Sequence, residues 1–145
     1  MMKPTICLAG NPNSGKTTLF NVLAKSHEKI GNWPGTTVEV KEALCVIGDE
    51  QFRLVDLPGI YSLTAYSMDE RVASEFLLQE HPDVVLCVVD ASNLERNLYL
   101  TCQLLEMGQR VVVCLNKMDL AKRRGLSINS AKLSQVLNVS VIEAV

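Results

Sequence analysis

Short runs of consecutive apolar residues alternate along this 145-residue chain with stretches in which apolar positions recur every three or four residues. The first pattern suits strands buried on both faces, and the second suits helices that lay one stripe against such a sheet. The reading predicts strands near 5–9, 38–47, 50–56, 84–89, 111–115 and 139–144, and helices over about 16–25, 69–79, 94–107 and 128–138. Strands alternating with helices require a mostly parallel sheet with helices on both faces, an α/β fold. The second and third strands meet at Gly48-Asp49-Glu50, a loop short enough for an antiparallel hairpin. One edge strand is therefore expected to run against the others, in a mixed, mostly parallel six-stranded sheet. In the third helix Leu94, Leu98, Cys102 and Leu105 make one apolar stripe, and Gly108 supplies the stop. The irregular stretches are 26–37 and 57–68, and loops of that length in a compact domain are functional or mobile.

Composition narrows the picture. With 48% apolar and 21% charged residues, the chain is a single globular domain, read as spanning 1–145. Fourteen basic and 16 acidic side chains leave a net charge of −2 without a block of either sign, so no nucleic-acid partner is expected. Its longest apolar runs, Val84–Val89 and Val111–Leu115, are far short of the roughly 20 residues that cross a bilayer, so this chain is not expected to insert in a membrane. The N-terminal stretch, interrupted at Pro4, does not make a secretory signal. Cys7, Cys45, Cys87, Cys102 and Cys114 mostly lie in apolar runs without a C-x-x-C pair and read as buried, reduced thiols. His27 and His81 are isolated and read as surface residues, and no iron site is expected.

Three motifs carry chemistry, each predicted at the carboxyl end of a strand, where open α/β sheets bind ligands. Gly10-Asn11-Pro12-Asn13-Ser14-Gly15-Lys16-Thr17, followed by Thr18, matches G-x-x-x-x-G-K-[ST] between the first strand and the first helix. Its glycines let backbone N–H groups wrap a phosphate, Lys16 can bridge the β- and γ-phosphates, and Thr17 can give its hydroxyl oxygen to Mg²⁺. Asp56-Leu57-Pro58-Gly59 follows the third strand: the carboxylate can hold Mg²⁺, and the Gly59 N–H can reach a γ-phosphate. Asn116-Lys117-Met118-Asp119 ends the fifth strand. There the Asp119 carboxylate can accept from guanine N1–H and the exocyclic amine, a pair of donors that adenine lacks. Asn116 would fix the loop, and the stem of Lys117 would lie along the ring.

In this order the motifs resemble those of the TRAFAC-class P-loop GTPases with a Ras-like fold. Gly31-Asn32-Trp33-Pro34-Gly35-Thr36-Thr37-Val38-Glu39 and Asp56-Leu57-Pro58-Gly59-Ile60-Tyr61-Ser62-Leu63-Thr64 resemble the two switches of FeoB, the bacterial ferrous iron transporter family with an N-terminal G domain. The resemblance implies a slow GTPase using Mg²⁺, with Thr37 rather than Thr36 completing the metal's shell beside the γ-phosphate and Gly35 in the same switch. Ile60 stands where Ras-like proteins place a glutamine and cannot orient a water. The family's answer is K⁺ in the place of an arginine finger, with Asn13 as its ligand. Trp33 is either a hydrophobic anchor that closes the loop or a contact for a partner domain.

The resemblance also implies a chain that stops at Val145, where the final guanine-contacting loop would begin, without the last helix and without the family's helical and membrane domains. Those domains are its expected partners beside GTP and GDP, and an uncovered sheet face would favour self-association. The implied place is the cytoplasmic face of the bacterial inner membrane, where nucleotide state would be coupled to Fe²⁺ uptake. Two other readings are a guanine-nucleotide sensor with incidental hydrolysis and a ribosome-associated GTPase, the latter without the RNA-binding appendages it would need.

Overall fold

The computed structural model describes residues 3–24 and 26–144, apart from the side chains of 26 and 27. The expectation for His27 therefore falls outside the described side chains. Seven strands form one sheet in the order β2-β3-β4-β1-β5-β6-β7. They are β1 Thr5–Gly10, β2 Ser26–Asn32, β3 Glu39–Ile47, β4 Glu50–Asp56, β5 Val84–Asp90, β6 Val111–Asn116 and β7 Val141–Glu143. The pairs β1–β4, β1–β5, β5–β6 and β6–β7 are parallel, whereas β3 runs antiparallel to both β2 and β4.

The α/β class and the mixed, mostly parallel sheet are as expected, but the strand count is seven, not six. The extra strand, β2, lies in the stretch read as a loop. Its sequence, Ser-His-Glu-Lys-Ile-Gly-Asn, has a single large apolar residue, Ile30, which is exposed, so it carries no buried-strand signal. A tight turn folds it against β3: Thr36 N–H donates to the Trp33 carbonyl at 2.9 Å, and the Trp33 N–H donates to the Val38 carbonyl at 2.8 Å. Pro34 and Gly35, the latter at φ +76°, stand where a type II turn takes proline and a positive-φ residue. The antiparallel strand is consequently β3, one place in from the edge.

Side-chain alternation splits the core across the sheet. Cys7, Ala9, Val55, Cys87 and Val89 belong to one face, with residues of helices α2 (Met68–Glu80) and α3 (Leu94–Glu106). Leu8, Ala43, Cys45 and Leu54 belong to the other, closed by Phe20 of α1 (Lys16–Leu23). A short α4 (Met118–Arg123) and α5 (Ser130–Leu137) complete the fold; α4 has under two turns and no apolar period by which the sequence could announce it. Of the cysteines, Cys102 is exposed and the other four are buried.

That exposure corrects one position of the stripe expected on α3: Leu94, Leu98 and Leu105 pack half-buried against the core, but Cys102 does not. The helix buries Asn97, Leu100, Thr101 and Leu104 and turns Cys102 outward. Two polar residues on the inward face are hydrogen-bonded, so their burial is affordable but invisible to a count of apolar positions. Asn97 Oδ1 accepts from the Asp90 N–H at 3.0 Å, and Thr101 Oγ1 lies 3.3 Å from Cys87 Sγ. Gly108 ends the helix at φ +81°, its N–H donating to the Leu105 carbonyl at 3.0 Å.

Candidate functional site

The carboxyl ends of β1, β4 and β6 bring the three motifs together around one cleft of about 650 Å³. Asn11, Pro12, Asn13, Gly15, Lys16, Thr17, Thr18, Gly59, Asp69 and Lys117 line it. The N-termini of the helices differ: α3 and α4 lack a side-chain cap, as α1 does, but each carries an acid in its first turn. Ser67 caps α2 by accepting from the Glu70 N–H, and Asn129 caps α5 by accepting from the Lys132 N–H. At α1 the cap position is Gly15 at φ +97°, with neither a side-chain cap nor an acid in the first turn. The first-turn N–H groups of α1 and its positive dipole end thus face the cleft, the arrangement that binds a phosphate.

Residues of the second and third motifs hold this loop in shape. Asn116 Nδ2 donates to the Ser14 carbonyl at 3.0 Å, and Lys117 Nζ donates to the Asn13 carbonyl while lying 3.5 Å from Asp90 Oδ2. Ile60 N–H donates to the Gly10 carbonyl at 3.0 Å. A methyl group on Gly59 would stand 3.1 Å from the Cα of Pro12, so the glycine's small size serves close packing of the two motifs. Lys16, 7% exposed, donates to the Asp56 carboxylate and, at 2.6 Å, to the Leu57 carbonyl. Asn11 is 4% exposed, and among the described residues neither of its amide atoms, nor the Ser14 hydroxyl, has a hydrogen-bond partner.

The two threonines of the hairpin turn are unlike. Thr36 Oγ1 donates to the Trp33 carbonyl at 2.8 Å and accepts from the Val38 N–H at 3.2 Å, which commits it to the turn. Thr37 is exposed. Trp33 acts as an anchor: its ring meets Phe76 edge-on at 6.0 Å, and its Nε1–H donates to Glu75 Oε2 at 2.8 Å. The indole and Arg71 hold the Glu75 carboxyl below its ordinary value. Asp119 is 64% exposed in the first turn of α4 and pairs with Arg123 at 3.1 Å. Met118 and Pro58 are half-buried behind these residues, and Leu57 is in the core.

Burial pushes the Cys7 thiol well up and the Cys87 thiol up to about 11, which keeps both protonated and out of the chemistry. Among the described residues no group of three His, Cys, Asp or Glu side chains could hold a metal ion. Thr17 and Asp56 are the hard oxygen donors that Mg²⁺ accepts, and the bound phosphates would have to supply others. Asp69 and Asp90 are missed by the motif reading. Asp90 ends a strand at the ligand-binding edge, a signal that was present; Asp69 reaches the cleft only through the placement of α2.

Comparison with known proteins gives this cleft its family. The family model described as ferrous iron transport protein B matches residues 4–145. The chain belongs to the FeoB family, as its N-terminal G domain. It is 52% identical over 149 residues to the Fe(2+) transporter FeoB of Escherichia coli K12, covering 100% of this chain and 19% of that protein. Against the Fe(2+) transporter FeoB of Legionella pneumophila strain Lens it is 49% identical over 139 residues, covering 93% of this chain and 18% of the relative. The chain thus spans about a fifth of the length of these FeoB relatives. Among solved structures, the FeoB G-domain from Methanococcus jannaschii superposes with a TM-score of 0.85 at 46% identity, covering 99% of this chain and 86% of that one. A GDP-bound mutant of the S. thermophilus FeoB G-domain gives 0.90 at 49% identity, over 97% of this chain and 54% of its own. A FeoB G domain is a P-loop GTPase fold, in agreement with the sheet order and the phosphate loop found here. No helix among the described residues is long and apolar enough to cross a membrane.

Proposed function

We propose that this chain binds GTP and hydrolyses it to GDP and phosphate, as the cytoplasmic, nucleotide-responsive domain of a ferrous iron transporter at the bacterial inner membrane. Its nucleotide state would control Fe²⁺ uptake through the transporter's helical and membrane regions. The observation that carries the reading is the N-terminus of α1, with neither a side-chain cap nor a first-turn acid, wrapped by a phosphate loop that residues at the ends of β4 and β6 hold in place.

In this reading the N–H groups of residues 13–18 surround the β-phosphate, and Lys16 leaves Asp56 to meet the β- and γ-phosphates. Thr17, Thr37 and Asp56 would hold Mg²⁺, which neutralises charge on the phosphate oxygens. Water attacks the γ-phosphorus in line, the bond to the bridging oxygen breaks, and that oxygen departs on GDP. Lys16 and the Gly59 N–H stabilise the charge that develops. Ile60 is 3% exposed and apolar, so it does not orient the water. The resemblance to the FeoB family assigns the Asn13 side-chain oxygen to K⁺, a cation that would offset charge between the phosphates; the Asn13 backbone carbonyl accepts from Lys117. Asp119 accepts from guanine and rejects adenine.

The test is GTP turnover in potassium against sodium for wild type, Asn13→Ala and Lys16→Ala. Potassium is expected to raise wild-type turnover, Asn13→Ala to bind GDP but lose that response, and Lys16→Ala to lose binding. Absence of turnover, or equal use of ATP, would overturn the reading. The apolar Ile60 gives the sensor reading its one support, and a variant that binds GTP without hydrolysis yet still regulates transport would favour it.

A further inference from the structure

The second half of the switch that follows β4 is held by a helix that carries none of the nucleotide motifs. Leu63 N–H donates to Gln103 Oε1, on α3, at 2.7 Å. Seven residues earlier on α3, the Arg96 guanidinium lies 4.1 Å from the centroid of the Tyr61 ring. At its other end the same segment is fastened to the phosphate loop by the Ile60 N–H to Gly10 bond and by the packing of Gly59 on Pro12. Only Tyr61 and Ser62 separate the two fastened residues. So short a span has little conformational freedom, and a displacement of Leu63 is passed to Gly59.

The holders on the two sides differ. Glu70 accepts from the hydroxyls of Ser62 and Thr64, at 3.1 and 2.7 Å, and so grips side chains near the surface. Gln103 grips the backbone itself. Its neighbours Leu100 and Leu104 are fully buried against the sheet, so the acceptor stands on a fixed element. We propose that Gln103 is a positioning residue for hydrolysis: its Oε1, through Leu63, fixes where the Gly59 N–H points, while Arg96 steadies Tyr61 from outside. The proposal rests on the GTPase reading above. Gln103 touches no part of the nucleotide cleft, so it acts on the reaction and not on binding.

The experiment compares GTP turnover, GDP affinity and melting in the whole 145-residue chain for wild type, Gln103→Leu and Gln103→Glu. Leucine removes the acceptor at similar size, and glutamate keeps it. Gln103→Leu is expected to lower kcat about fivefold, with KM and GDP affinity unchanged and the melting temperature lowered by no more than the loss of that one hydrogen bond. Gln103→Glu is expected to recover most of kcat. Gln103→Met replaces the leucine variant if that one folds poorly. Unchanged kcat in the variant without an acceptor overturns the proposal, as does an equal fall in both variants together with a lower melting temperature, which is the mark of a packing role. Wild-type protein that binds GTP without turnover overturns the GTPase reading and this role together, whereas wild-type turnover indifferent to Gln103→Leu overturns this role alone.

Discussion

At Gly15 two constraints meet on one atom that glycine lacks. A Cβ there would lie 2.0 Å from Asn116 Nδ2, and the backbone sits at φ +97°. Gly15→Ala therefore has to strain the backbone and push aside the amide that holds the Ser14 carbonyl, and the expected loss is about 1–3 kcal/mol of stability together with nucleotide affinity. Gly125, at φ +78° with nothing within 4 Å of its would-be Cβ, separates the two effects. Gly125→Ala should cost about 1 kcal/mol and leave affinity alone. Urea denaturation and GDP titration of both variants check this; equal affinity losses would refute it.

Between elements, Arg53 of β4 ties the hairpin to α2. Its Nε donates to Glu42 Oε2 of β3 at 3.1 Å, and its Nη1 lies 3.7 Å from Glu80 Oε2. The hydrogen bond from Arg53 holds the Glu42 carboxyl below its ordinary 4.5. A carboxylate with a depressed folded-state value contributes stability that is fully present above 4.5 and is lost as pH falls through that lower value. Glu42→Gln should thus be slightly less stable than wild type at neutral pH and should converge with it in acid, as read from melting temperatures between pH 7 and 3; the pair is partly exposed, so the effect is small. Elements were legible in the sequence wherever burial alone defined them. Strands β1, β3, β4, β5, β6 and the short β7, within the expected 139–144, were legible from their apolar positions, whereas β2 is held by its ladder and by the turn at Trp33-Pro34-Gly35-Thr36. That four-residue signal was in the sequence and was outweighed by the polarity of Ser26–Asn32. Backbone spacing puts residues of all three motifs at the carboxyl edge of the sheet, although Asp119 and Thr37 do not line the cleft. Asp69 and Gln103 were not legible, because only the packing of α2 and α3 brings them to the loop.

For the molecule as a whole, a ligand that binds only the folded chain raises its stability by mass action. GDP at 100 times its dissociation constant should add about 2.7 kcal/mol. ADP at the same concentration should add far less, since only guanine offers the donors that Asp119 accepts. Thermal melts with each nucleotide, for wild type and Asp119→Ala, check this: the GDP increment should shrink in the variant, and equal increments from GDP and ADP in wild type would refute the assignment of the base site. The docked hairpin has a further consequence, an optical one. Trp33 is the single tryptophan of the chain, and it is placed with its ring edge-on to Phe76 and its N–H on Glu75. Light absorbed at the red edge of the protein's ultraviolet band is therefore emitted from one spot, the tip of the β2–β3 ribbon where it rests on α2. The fold carries its own fluorophore at that joint, and the colour of its emission reads whether the ribbon is seated or lifted, without any label added.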